Sequence, residues 1–121
     1  LIHGIDDICF GQPNFNSSFQ TPDELIDYRI GLMHEPDKVK LLDPYINLVL
    51  SGHTHGGQVR IPIIGAIYTP TFGKNYIQGL YHIRNEQYLF VNKGIGMTRL
   101  PIRIFCSPEI AVFNLKPNHT Q

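Results

Sequence analysis

Residues 45 to 52, "YINLVLSG", form an almost unbroken apolar run that stops at a serine and a glycine. A run this short, with so few polar positions, reads as a strand covered on both faces, the pattern of a parallel sheet packed between layers. The segments before it agree. "PDKVKLLDP" opens on Pro36 and closes before Pro44, enough for about two helical turns. Ahead of it, "YRIGLMHEP" is mostly apolar and is stopped by Pro36, which predicts a second buried strand ending near His34. Strand, helix and strand in so few residues predict an α/β unit with parallel pairing.

The rest of the chain is poorer in helix. "LIHGIDDICF" is rich in β-formers and predicts an opening strand, and "GQPNFNSSFQ" predicts a loop. "TPDELID" starts a short helix, with Thr21 as N-cap and Pro22 at the first helical position. After Gly52, glycine and proline preclude a long helix, and an extended loop with short strands near "QVRIP" and "GAIY" is expected. "YIQGLYHIRNEQYLFVNKG" reads as a hairpin around the polar turn "RNEQ". "IGMTRLPIRIFCSPE" reads as loop, "EIAVFNLK" as a final strand and "PNHTQ" as a frayed tail.

With 121 residues, 42% of them hydrophobic and 17% charged, residues 1–121 suit one globular domain rather than a disordered chain or two domains. Ten basic residues balance ten acidic ones at a net charge of zero, which excludes the electropositive footprint of a stable nucleic-acid partner. Cys9 and Cys106 are far apart, without CxxC spacing, and are expected as free thiols. No apolar run is long enough to span a bilayer. The chain opens at Leu1, directly in an apolar stretch, and so reads as part of a longer protein. Any membrane attachment is expected in a preceding segment.

Chemistry concentrates in "SGHTHGGQVR", residues 51 to 60. In an extended backbone, residues two apart face the same side about 6.5 Å from each other. On that spacing His53 and His55 reach one ion, or one each of two ions about 3.5–4 Å apart. If "YRIGLMH" and "YINLVLSG" are parallel neighbours, His34 and His53 emerge at one edge of the sheet, where α/β folds place their sites. Three imidazoles there suit zinc, iron or manganese alike. The competing reading is a pair of surface imidazoles on a polar loop. Other HxH sites do not match: HxHxDH would need Asp and His where Gly57 and Gln58 stand, and a cupin-type site would need a glutamate near Val59 and Arg60. His3 and His82 read as structural histidines, and His119 belongs to the tail.

"LMHEPD", a short helix and "NLVLSGHTHGGQVRIP" together resemble the C-terminal half of the calcineurin-like metallophosphoesterases. "FGKNYIQGLY", "VNKGIGMTRLPIR" and "PEI" resemble the bacterial membrane-associated branch of that superfamily, so the resemblance runs along nearly the whole chain. It implies an α/β fold, the C-terminal half of a double-sheet α/β sandwich, around two divalent metal ions (Mn, Fe or Zn). It also implies phosphate-ester hydrolysis, with a phosphodiester or lipid-linked substrate. His34 and His53 match ligands of one ion, and His55 matches a ligand of the other. Two such ions lower the pKa of an attacking water and clamp the phosphoryl oxygens during in-line displacement. The family's DxH, bridging aspartate and GNH(D/E) motifs, the last carrying the general acid, have no counterpart here. No residue of this chain is therefore expected to be catalytic in its own right, and the chain alone is expected to be inactive.

Arg99 and Arg103 flank "LPI" and are candidate contacts for a substrate phosphate or a lipid head group, against the reading that they are structural. A second functional reading is a non-catalytic metal-binding or scaffolding module of the same fold. The presence of His34, His53 and His55 together favours the enzyme. Half a sandwich leaves apolar surface uncovered, so the isolated chain is expected to self-associate or to need its N-terminal half.

Overall fold

A computed structural model describes residues 1–15 and 26–116. The helix start expected at Thr21 and the tail after Lys116 lie outside the described residues.

The apolar runs form a five-stranded sheet from β1 (Ile2–Gly4), β2 (Ile30–Leu32), β3 (Leu48–Ser51), β6 (Gly79–Arg84) and β7 (Gln87–Val91), in the order β1-β2-β3-β7-β6. β1, β2, β3 and β7 run parallel, and β6 closes the edge antiparallel to β7. The expected parallel pairing is present, with Ile30 opposite Leu48 and Leu32 opposite Leu50. β4 (Arg60–Ile61) and β5 (Gly65–Ala66) make a separate antiparallel ribbon. The mixed sheet fits one layer of the expected α/β sandwich.

Alternation in β7 selects the covered face. Leu89 and Val91 are fully buried, as is Val49 beside Leu89 in the register, and they pack with Met33, Val39, Leu42 and Ile46. Val39 comes from the segment expected to be helical, which is a 3-10 helix over Pro36–Leu41. Between Pro36 and Pro44 there is too little chain to repay an α-helical nucleus, and short connectors take the tighter turn. Its C-terminal end is tied to the β6–β7 hairpin. Arg84 Nη2 donates to the Leu42 carbonyl at 2.5 Å, and buried Gln87 donates to the Asp43 carbonyl at 3.0 Å.

Two expected strands are not formed as expected. The opening strand stops at Gly4, because Asp6 and Asp7 turn the chain with their own carboxylates. Asp6 accepts the Gln12 amide at 3.0 Å, and Asp7 accepts the Phe10 amide at 2.7 Å. Such local side-chain bonds outcompete a ladder. Residues 109–116 form no strand, and the Glu109 amide bonds the Gly94 carbonyl at 3.1 Å instead; β-propensity yields a strand only where a partner edge exists. Phe113 instead packs edge-on against Phe90, with ring centres 5.0 Å apart.

The other face of the sheet is only partly covered, with Phe113 lying on Phe90. Leu32, Leu50, Phe90 and Leu80 stand in one register row across four strands. Leu32 is 44% exposed and Leu80 63%. This row predicts that the isolated chain sediments as an oligomer, and that Leu32→Glu with Leu80→Glu moves it towards monomer. On the covered face, Leu89→Ala is expected to cost about 2–5 kcal/mol, read as a lower urea midpoint. A cooperatively unfolding wild-type monomer would contradict the first expectation.

Candidate metal centre

The site begins where two parallel strands end. The Ser51 hydroxyl and the Gly52 amide both donate to the His34 carbonyl, at 2.7 and 3.2 Å. The Met33 amide donates to the Leu50 carbonyl at 3.1 Å. These bonds hold the ends of β2 and β3 level, so the His34 and His53 rings meet edge-to-face with centres 4.8 Å apart.

The backbone then leaves extended geometry. His53 and His55 have φ of 68° and 51°, Gly56 and Gly57 of 65° and 79°, and His55–Gly57 is a 3-10 turn. The two histidines therefore do not share one side of an extended segment, as their spacing led us to expect. A left-handed backbone at a residue with a Cβ costs roughly 1–2 kcal/mol, so the turn needs external support. Buried Thr54 supplies part of it: its hydroxyl donates to the Ile77 carbonyl at 2.6 Å and accepts the Gly56 amide at 3.2 Å. Close packing supplies more. A Cβ on Gly56 would lie 2.7 Å from Cys106 Sγ, and one on Gly57 would overlap the Cβ of Ala66 in β5.

Carbonyls fix two of the rings. His53 Nε2 lies 2.7 Å from the Thr71 carbonyl oxygen, and His55 Nδ1 lies 3.2 Å from that of Gly96. A carbonyl only accepts, so these nitrogens carry the protons. In the neutral rings the lone pairs then lie on His53 Nδ1 and His55 Nε2, the form in which imidazole binds a metal. The loop bearing Thr71 is itself pinned by Asp37. Its carboxylate accepts the amides of Lys74, Asn75 and Tyr76 at 2.8, 3.0 and 3.3 Å. Nothing in the sequence pattern pointed to Asp37.

His34, His53 and His55 all line one cleft of about 650 Å³, with Arg99, Tyr68 and Leu100 on its walls. No Asp or Glu lines it among the described residues. Three imidazoles, two with their proton placed by a carbonyl, fit a borderline divalent ion. They do not converge on a single ion: among the described residues only Asp7, Cys9 and Glu35 bring three candidate ligand atoms within 4.8 Å of one another. That trio is better explained as a fold device. Buried Glu35 accepts the Ile8 and Cys9 amides at 3.1 and 3.3 Å. Desolvation, then the hydrogen bond and charge of Glu35, push the Cys9 thiol up.

The two arginines part company. Arg99 lines the cleft with its guanidinium over the Tyr68 ring, 5.3 Å from the centre. Arg103 does not line it. Its Nη1 donates to the carbonyls of His55 and Cys106 at 3.1 and 3.3 Å. Its Nη2 donates to those of Lys93, Gly94 and Gly96 at 2.8, 3.0 and 2.6 Å. With its terminal donors spent on backbone, Arg103 has a structural place, the alternative weighed against a phosphate contact. His82 is likewise structural, bonded to the Asn85 carbonyl at 2.5 Å in the hairpin turn.

The chain is similar to several bacterial proteins. It is 44% identical over 116 residues, 95% of its length, to the uncharacterized metallophosphoesterase YkuE of Bacillus subtilis (strain 168), of which it covers 40%. It is 35% identical over 88 residues, 72% of its length, to the phosphodiesterase YaeI of Escherichia coli (strain K12), covering 32% of that protein. It is 32% identical over 114 residues, 90% of its length, to the uncharacterized metallophosphoesterase YkoQ of Bacillus subtilis (strain 168), covering 40%. The chain thus spans two fifths or less of the length of these relatives. No family model and no solved structure matches it.

The glycines of the turn differ in what they tolerate. A Cβ on Gly52 meets nothing within 4 Å, whereas Gly57 combines a positive φ with the Ala66 overlap. Gly57→Ala is expected to cost about 2 kcal/mol or more, from the left-handed penalty and the clash together. Gly52→Ala should stay within about 1 kcal/mol of wild type. Equal melting temperatures for the two variants would refute this account of the turn.

Proposed function

Since the chain belongs to the calcineurin-like metallophosphoesterase superfamily, we propose that it supplies the histidine side of a dinuclear metal centre that hydrolyses phosphate esters. The observation that carries the proposal is the cleft shared by His34, His53 and His55, with the ring protons of His53 and His55 held away on carbonyls. His34 and His53, whose rings touch, would hold one ion; His55, which reaches the cleft from the 3-10 turn, would hold the other. Two divalent ions supply an acidified attacking water and charge stabilisation on the phosphoryl oxygens.

The chain's own residues do the positioning. Ser51 and Gly52 fix the spacing of His34 and His53 through one carbonyl. Thr71 and Gly96 set which nitrogen of each ring faces the cleft. Arg99 offers a fork of N–H donors to the non-bridging oxygens of a phosphate, with Tyr68 beneath it to limit its motion. Phe10, Val59 and Leu100 line the same cleft and give an apolar ester group a place beside the phosphate, which favours a phosphodiester or lipid-linked substrate.

In the full-length enzyme, His34→Ala and His53→Ala are each expected to empty the same metal position, and His55→Ala the other. Elemental analysis with anomalous diffraction reads this directly. The double variant at His34 and His53 should lie no more than a few-fold below the worse single in kcat/KM, because groups acting as a unit are not additive. Arg99→Ala should raise KM about ten- to a hundredfold at unchanged metal content. If His34→Ala and His55→Ala empty one position together, the division of ligands is wrong. Full metal content and activity in all three histidine variants would overturn the proposal.

A further inference from the structure

We propose that Arg103 is the positioning residue of His55, holding its backbone and its ring in the one arrangement that presents Nε2 to the cleft. The inference rests on the reading of His55 as a metal ligand.

His55 is gripped at two points, and Arg103 stands behind both. Nη1 of Arg103 donates to the carbonyl of His55 itself at 3.1 Å. Nη2 donates at 2.6 Å to the Gly96 carbonyl, the same oxygen that accepts the His55 Nδ1 proton at 3.2 Å. One guanidinium therefore fixes the residue and the acceptor that orients its ring. The remaining bonds, to the Lys93, Gly94 and Cys106 carbonyls, clamp the segment after β7 to the segment bearing Cys106. Cys106 Sγ adds a contact to the His55 carbonyl at 3.3 Å.

His55 needs this support because its φ of 51° is a left-handed conformation that persists only where the surroundings over-determine it. The job also needs a guanidinium. Its two terminal nitrogens diverge in a rigid plane and reach different carbonyls at once, whereas an ammonium is one flexible point. Arg103 lies off the cleft lining, so it acts on a substrate only through His55.

Arg103→Ala and Arg103→Lys in the full-length protein test this with two readouts. In metal-free protein, long-range proton–nitrogen correlation of the His55 ring should show one tautomer in wild type, protonated at Nδ1, and a mixture in both variants. On titration with Mn²⁺ or Zn²⁺, affinity at the His55 position should fall about ten- to a hundredfold while the His34/His53 position keeps its ion. Added methylguanidinium should restore both readouts in Arg103→Ala. If that variant does not fold, Arg103→Lys carries the same expectations. An unchanged tautomer with unchanged affinity overturns the proposal. So does an equal loss at both metal positions, which is what a merely structural arginine would give. Full metal content in His55→Ala would instead sink the ligand assignment, and the tautomer measurement, which needs no metal, still decides whether Arg103 orients the ring.

Discussion

The carbonyl oxygen of His34 accepts both the Ser51 hydroxyl and the Gly52 amide, and the geometry of the site follows from that junction. Two parallel strands normally end at independent heights. Here the Ser51 side chain at the end of β3 and the Gly52 amide just after it close on His34, two residues beyond β2, so neither end can slide against the other. The sheet behind the junction is stiff because Val49, Leu89 and Val91 are fully buried beneath it. Rigidity of the core is thereby passed to the His34–His53 contact.

Beyond the junction, rigidity comes from a different source. The turn at residues 53–58 carries five consecutive or near-consecutive left-handed positions, a conformation with no regular ladder to sustain it. Its supports are backbone carbonyls of distant loops: Ile77 for Thr54, Thr71 for His53, Gly96 for His55. Each of those loops is pinned in turn by polar side chains, Asp37 and Tyr81 among them for the first pair and Arg103 for the last. Long loops thus become precise enough to aim imidazoles.

What could be read in advance followed from residue identity. Apolar runs that stop at His34 and at Ser51-Gly52 specified two parallel strands and the edge on which the histidines emerge, and both are present. The extended spacing assumed for His53 and His55 was not, although Gly56 and Gly57 signalled a turn that could reach back into the motif. Asp6 and Asp7 inside an otherwise β-rich run were a turn signal overruled by the aliphatic residues around them. The sequence left the role of Arg103 open between a phosphate contact and a structural place, for a deeper reason. Its partners are five main-chain carbonyls, and a carbonyl carries no mark of residue type, so no pattern of side chains could reveal them. Asp37 was hidden in the same way, by amide partners some forty residues on.

The chemistry of the donor set sets a last constraint on how such a centre divides its work. Imidazole nitrogens are borderline ligands, and the cleft lining among the described residues contains no carboxylate to accompany them. Two cations held about 3.5–4 Å apart repel strongly, and anionic oxygens shared between them are what make that separation tolerable. On the proposed two-ion reading, the histidine side would set the direction from which each ion is approached rather than the spacing of the pair. That assigns the two supports separate duties. The His34–His53 contact, anchored on the sheet, moves with the core, whereas His55, anchored through Gly96 and Arg103, moves with the segment after β7. A perturbation confined to that segment should thus alter one direction of approach and leave the other as it is.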